Sequence, residues 1–123
     1  ALYWAWSAYL GGIEPAKGLS KDITSLLPDD ALKLTRKKIE ETLLDRIDIG
    51  DKSALMELAL FYEELLEEPN FEEAYLWYSI ASAFLLEGAI IARDEVEVSV
   101  EMKLIVELQN RASEIFDTLS TIK

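Results

Sequence analysis

The chain has 123 residues, 24 of them acidic and 12 basic, for a formal net charge of −12 and a pI near 4.3. It contains no His and no Cys, which excludes a disulfide framework, a thiolate nucleophile, a zinc–thiolate site and an imidazole general base. Its negative charge opposes binding to a phosphate backbone, so nucleic acid is excluded as a partner class.

Helical periodicity runs through nearly the whole chain. The first predicted helix covers Ala1 to Leu10, with Ala1, Trp4, Ala5 and Ala8 on one stripe at i, i+3, i+4 and i+7. Gly11 and Gly12 stop it. A second helix is predicted over Glu14 to Leu27, with Pro15 in its first turn. Pro28 opens a third, where Asp29 and Asp30 suit the positive end of the helix dipole. Its apolar residues are Leu32, Ile39, Leu43, Leu44 and Ile47, and Ile49–Gly50–Asp51 reads as a stop followed by a new cap. The fourth spans about Lys52 to Leu66 on a stripe of Leu55, Leu58, Ala59, Tyr62, Leu65 and Leu66. Asn70, three residues before Glu73, has the spacing of a capping box. It opens a fifth helix, Phe71 to Leu86, with Ala74, Trp77, Tyr78, Ala81, Phe84 and Leu85 on one face. Gly88 breaks it. A sixth covers about Ala89 to Val96, and a seventh runs from Val100 to Thr121 with Ser99 as its cap. The alternation over Val96–Val100 is too short to pair as a strand and reads as a helix end. The expected fold is therefore all-α, with about seven helices in antiparallel hairpins.

Half of the residues are hydrophobic, with three Trp, five Tyr and four Phe, so this acidic chain has the means to fold. Its length suits a single core and a single domain over residues 1–123. No apolar run reaches the roughly 18 residues of a membrane span, and no charged n-region is followed by an apolar h-region as in a secretory signal. We expect a soluble protein, with cytoplasm favoured over periplasm.

An internal repeat emerges at a shift of 73. It places Ala1 on Ala74, Trp4 on Trp77, Ala8 on Ala81, Glu14 on Glu87, Ala16 on Ala89 and Ile23 on Val96. It also places Lys38 on Arg111, Glu41 on Glu114 and Leu43 on Phe116, without a gap. Recurrence of small and aromatic residues at core and turn positions marks a stacked helical array. Residues 1–49 then form a partial first copy with closing helices, and residues 50–123 a second copy with its own.

The residues of the second copy resemble a known family. Gly50-Asp51-Lys52-Ser53-Ala54, followed by Leu58 and Tyr62, is similar to the first helix of a Sel-one-like repeat. Ala74, Trp77, Tyr78 and Ala81 resemble the A-x-x-W-Y-x-x-A pattern of the second helix. The tail through Ala92-Arg93-Asp94 and Leu108 to Ala112 resembles the segment that closes such arrays. This resemblance implies a short α/α solenoid and non-catalytic adaptor work, with a peptide or protein partner and no cofactor or metal. One departure is the acidic, glycine-free stretch Glu63 to Pro69, where the family's loop is glycine-rich. The first copy lacks a preceding helix, so the chain reads as beginning mid-repeat within a longer parent.

The charge is uneven. Residues 1–50 carry seven basic and eight acidic side chains, whereas residues 51–123 carry five and sixteen. Glu63, Glu64, Glu67, Glu68, Glu72 and Glu73 form the densest acidic stretch, which is either a solvated helix end or a landing patch for a basic partner, with Glu63, Glu64, Glu67 and Glu68 as the candidate partner-binding residues. Tyr3, Trp6 and Tyr9 are the other candidate partner-binding residues. Trp6 and Tyr9 align with Ser79 and Ser82. A large aromatic at such a position either covers the core against the third helix, packs on a preceding helix, or anchors a partner. No nucleophile–base spacing, phosphate-cradling loop or metal pattern is present, so no catalytic residue is expected. Composition alone also fits an acidic inhibitor or immunity protein that blocks a basic toxin or nuclease.

Overall fold

The computed structural model describes residues 2–13 and 26–121. Among these are α1 (Leu2–Leu10), α2 (Asp29–Asp48), α3 (Ser53–Leu60), a π-helical turn (Phe61–Leu65), α4 (Phe71–Ala83), α5 (Ala89–Glu97) and α6 (Met102–Leu119). The fold is all-helical, with no strand among the described residues. None of the described helices is long and apolar enough to cross a membrane. The helix expected over Glu14 to Leu27 lies almost wholly outside the described residues. The chain divides into two compact units, Ala1–Thr42 and Leu43–Lys123.

In the second unit α4 is the central element. It packs on α3, the π-turn, α5 and α6. Eight of its thirteen residues are buried, among them Tyr75, Leu76, Trp77, Tyr78 and Ile80. A helix that is apolar on every side belongs in the interior. Ala54, Ala59, Ala74, Ala81 and Ala89 are fully buried and let the backbones approach closely. Leu55 and Leu58 are fully buried as well, and each such side chain contributes about 1.5–3 kcal/mol. Phe61, absent from the expected stripe, is also buried and meets Tyr62 edge-to-face at 5.4 Å. Both lie in the π-turn into which α3 runs, as does the buried Leu65.

The helix ends depart from expectation in three places. Asn70 does cap α4, its side chain accepting from the Glu73 N–H at 3.1 Å. The Asn70 N–H, however, donates to the Tyr62 carbonyl at 2.9 Å, so the capping box is only half formed. α6 starts at Met102 with Glu101 before it, and Ser99 lies in the preceding turn. α4 ends at Ala83, where the Leu86 N–H reaches the Ala81 carbonyl and the Leu85 N–H that of Ser82. This closure needs a left-handed residue, normally glycine. Gly12 and Gly50 supply it after α1 and α2, with φ of 92° and 93°. After α4 the residue is Leu85, with φ of 62° and 84% exposure. Leu85→Gly is expected to stabilise the protein by about 1 kcal/mol by removing this steric cost, measurable as a higher urea midpoint with an unchanged slope.

α1 buries Leu2, Ala5, Trp6 and Leu10. Of the expected stripe Ala5 is buried, but Trp4 is 62% exposed, so the stripe does not mark the buried face. The cause is the composition of α1, which is apolar all round, so that spacing favours no one face. The shift of 73 nevertheless relates other features. Asp29 and Met102 both start helices. Gly12 and Leu85 are both left-handed, and the carbonyls closing the two turns are related by the same shift. Ile39 and Ala112 are both buried. Trp77 is 8% exposed, so its pairing with Trp4 does not hold as a burial equivalence.

Candidate protein-binding surfaces

The π-turn sorts the acidic cluster. Glu63 is half-buried and accepts a hydrogen bond from the Tyr78 hydroxyl at 2.8 Å. Burial, then this carboxylate, pushes the Tyr78 pKa well above the usual tyrosine range. Glu63 is thus a structural acceptor rather than part of an open landing patch. Glu64, Glu67 and Glu68 are exposed. Partial desolvation raises the Glu64 pKa. Glu68 and Glu72 flank an open depression of about 400 Å³ whose apolar lining includes Leu66, Pro69 and Phe71. Glu73 is engaged elsewhere, accepting from Trp77 Nε1 and from Arg111 Nη1, each at 3.3 Å.

The first-unit aromatics are also engaged. Trp6 is 3% exposed, and the Arg36 guanidinium lies 5.4 Å from its ring centroid. It serves the core against α2, one of the readings open to it. Tyr3 is half-buried, donates to Thr42 Oγ1 at 3.3 Å, and has Lys38 Nζ 4.8 Å from its ring. Tyr9 is half-buried and in contact with a partner group. The exposed aromatic on this helix is Trp4, which spacing had placed in the core.

Sequence reasoning missed two features. The first is a charged cluster at the α2–α3 junction. The Arg46 guanidinium forks onto Glu57, with Nη2–Oε2 at 2.7 Å and Nη1–Oε1 at 3.2 Å. Its Nε also donates to Asp51 at 2.9 Å. Asp51 in turn accepts from the Ser53 N–H at 3.2 Å and from the Ser53 hydroxyl. Only the Asp51 cap had a sequence signal. The second feature is a groove of about 260 Å³ between α4 and α6, lined also by Arg93 of α5. On its α4 side are Tyr75, Ser79 and Ala83, and on its α6 side Gln109, Ala112 and Ser113. The Tyr75 hydroxyl accepts from Gln109 Nε2 at 3.1 Å and donates to Glu97 at 3.2 Å. The Ser79 hydroxyl is turned back to the Tyr75 carbonyl at 2.7 Å.

No family model, curated protein or solved structure matches the chain.

Proposed function

We propose that this chain is a non-catalytic protein-interaction module of the Sel-one-like repeat type, a short α/α solenoid that binds a basic peptide or protein. The observation that carries this reading is the depression beside the start of α4. There Glu68 and Glu72 stand over a lining that includes Leu66, Pro69 and Phe71. Acidic rims around apolar contacts suit lysine- or arginine-bearing segments, whose aliphatic stems pack while their charges pair. The surplus of acidic residues over 51–123 extends the attraction beyond the contact itself. The recurrence of turns and helix starts at a spacing of 73 supports the repeat reading.

Fluorescence anisotropy of a labelled lysine-rich peptide tests the reading. The triple change Glu67→Lys, Glu68→Lys, Glu72→Lys is expected to weaken binding by about tenfold or more and to flatten its salt dependence. Affinity that is unchanged by these substitutions and by salt would refute the basic-partner reading.

A further inference from the structure

Charge divides unevenly between the two units. Residues 1–42 carry six acidic and six basic side chains, whereas residues 43–123 carry eighteen and six, so the whole net charge of −12 falls on the second unit. Within the neutral first unit, α2 has a basic middle. From Ala31 to Ile39 it holds Lys33, Arg36, Lys37 and Lys38 and no acidic residue. Leu34 stands among them and is 70% exposed. Lys33 and Lys37 are exposed as well and make no ion pair among the described residues, whereas Arg46, Arg93, Lys103 and Arg111 each have a carboxylate partner. Leu34 and Lys37 are three residues apart and Lys33 and Lys37 four, so the three side chains are neighbours on the helix surface. Asp30 and Glu41, a turn to either side, bound this basic face.

We infer that this face of α2, with Leu34, Lys33 and Lys37, docks in the acidic depression beside the start of α4 of a second copy of the chain. The depression has the complementary layout, in which Glu68 and Glu72 rim a lining that includes Leu66, Pro69 and Phe71. A leucine seated on that lining brings two ammonium groups beside two carboxylates, while the lysine stems cover the apolar edge. The net charge of the chain does not oppose this pairing. The contact joins the neutral unit of one copy to the acidic unit of the other, and charges more than about 8 Å apart are largely screened at physiological salt. Donor and acceptor faces are different surfaces, so the association is head-to-tail and continues past a dimer unless a ring closes. This inference rests on the basic-partner reading above and names the partner.

The test is sedimentation velocity of the full chain at rising concentration. The sedimentation coefficient is expected to climb with concentration at physiological salt and to return to that of the monomer in high salt. Excess lysine-rich peptide is expected to reverse the climb, since both ligands seek one depression. The double changes Lys33→Glu, Lys37→Glu and Glu68→Lys, Glu72→Lys are each expected to weaken association by about tenfold or more. An equimolar mixture of the two variants is expected to associate again, because each then meets a face of opposite charge. Leu34→Ala is expected to weaken association and leave thermal unfolding unchanged. Thermal unfolding of the charge variants verifies that they fold. A chain that stays monomeric at every concentration while binding the lysine-rich peptide overturns the self-association and leaves the basic-partner reading standing. Failure of both refutes both. Association that survives the charge reversals, or that Trp4→Ala abolishes, places the contact elsewhere and overturns the docking of α2 in the depression.

Discussion

Leu76→Ala is expected to destabilise the protein by about 2–5 kcal/mol. Leu76 is fully buried at the middle of α4, the helix on which α3, the π-turn, α5 and α6 all pack. Truncation removes transfer free energy and leaves a cavity that neighbours held from several sides cannot collapse into. Urea unfolding should show a lower midpoint with an unchanged slope, because the surface exposed on unfolding is nearly the same. Leu34→Ala is the control. Leu34 is 70% exposed on α2, and its loss should change stability by no more than about 0.5 kcal/mol. A loss below about 1 kcal/mol at Leu76 would show that α4 is not the centre of the unit.

Arg46→Ala carries the second largest effect, about 2 kcal/mol. The Arg46 side chain is 32% exposed, and that of Glu57, on which it forks, only 16%. Removing it leaves that carboxylate desolvated and without its fork, which costs more than the intact pair contributes. Arg46→Lys should recover only part of the loss, since an ammonium cannot match the two-pronged geometry. The same cluster gives a pH signature. The Ser53 hydroxyl, followed by Arg46, holds the Asp51 carboxyl below its usual range. Its stabilising contribution is complete above the ordinary Asp pKa of about 4 and is lost as pH falls through the lower value in the folded protein. The urea midpoint of the wild type should therefore exceed that of Asp51→Asn at pH 7, and the difference should shrink below about pH 4. A difference that stays constant down to pH 2 would assign Asp51 no such role.

Helix positions were legible in the sequence because their signals are local. Asp29 and Asp30 do begin α2, Asn70 does cap α4, and Gly12 and Gly50 do end helices. Each depends on backbone geometry within one turn. The stripes of α2 and α3 were legible as well, since polar residues interrupt their apolar positions at helical spacing. On α4 the expected Ala74, Trp77, Tyr78 and Ala81 are buried, but apolar residues on its other sides are buried too, and α1 is apolar all round. Periodicity cannot choose a face when every face qualifies, so Trp4 was misplaced and the burial of Tyr75, Leu76 and Ile80 was incompletely read. The π-turn had no signature either. It contains the buried Phe61, Tyr62 and Leu65, with Glu63 accepting from Tyr78 while Glu64 is exposed.

The candidate sites divide along the same line. Charge was countable, so the acidic bias of residues 51–123 was evident from the chain alone, as was the all-helical fold. Which carboxylates remain available was a tertiary matter. Glu63 and Glu73 are taken up by Tyr78, Trp77 and Arg111, residues 4 to 38 positions away. The groove is likewise invisible to local pattern, since Ser79 and Ala112 are unremarkable small residues on separate helices. Only packing sets them on facing sides of the opening between α4 and α6. Backbone preferences act over a few residues and are written in sequence order; the filling of space depends on groups that only the fold brings together.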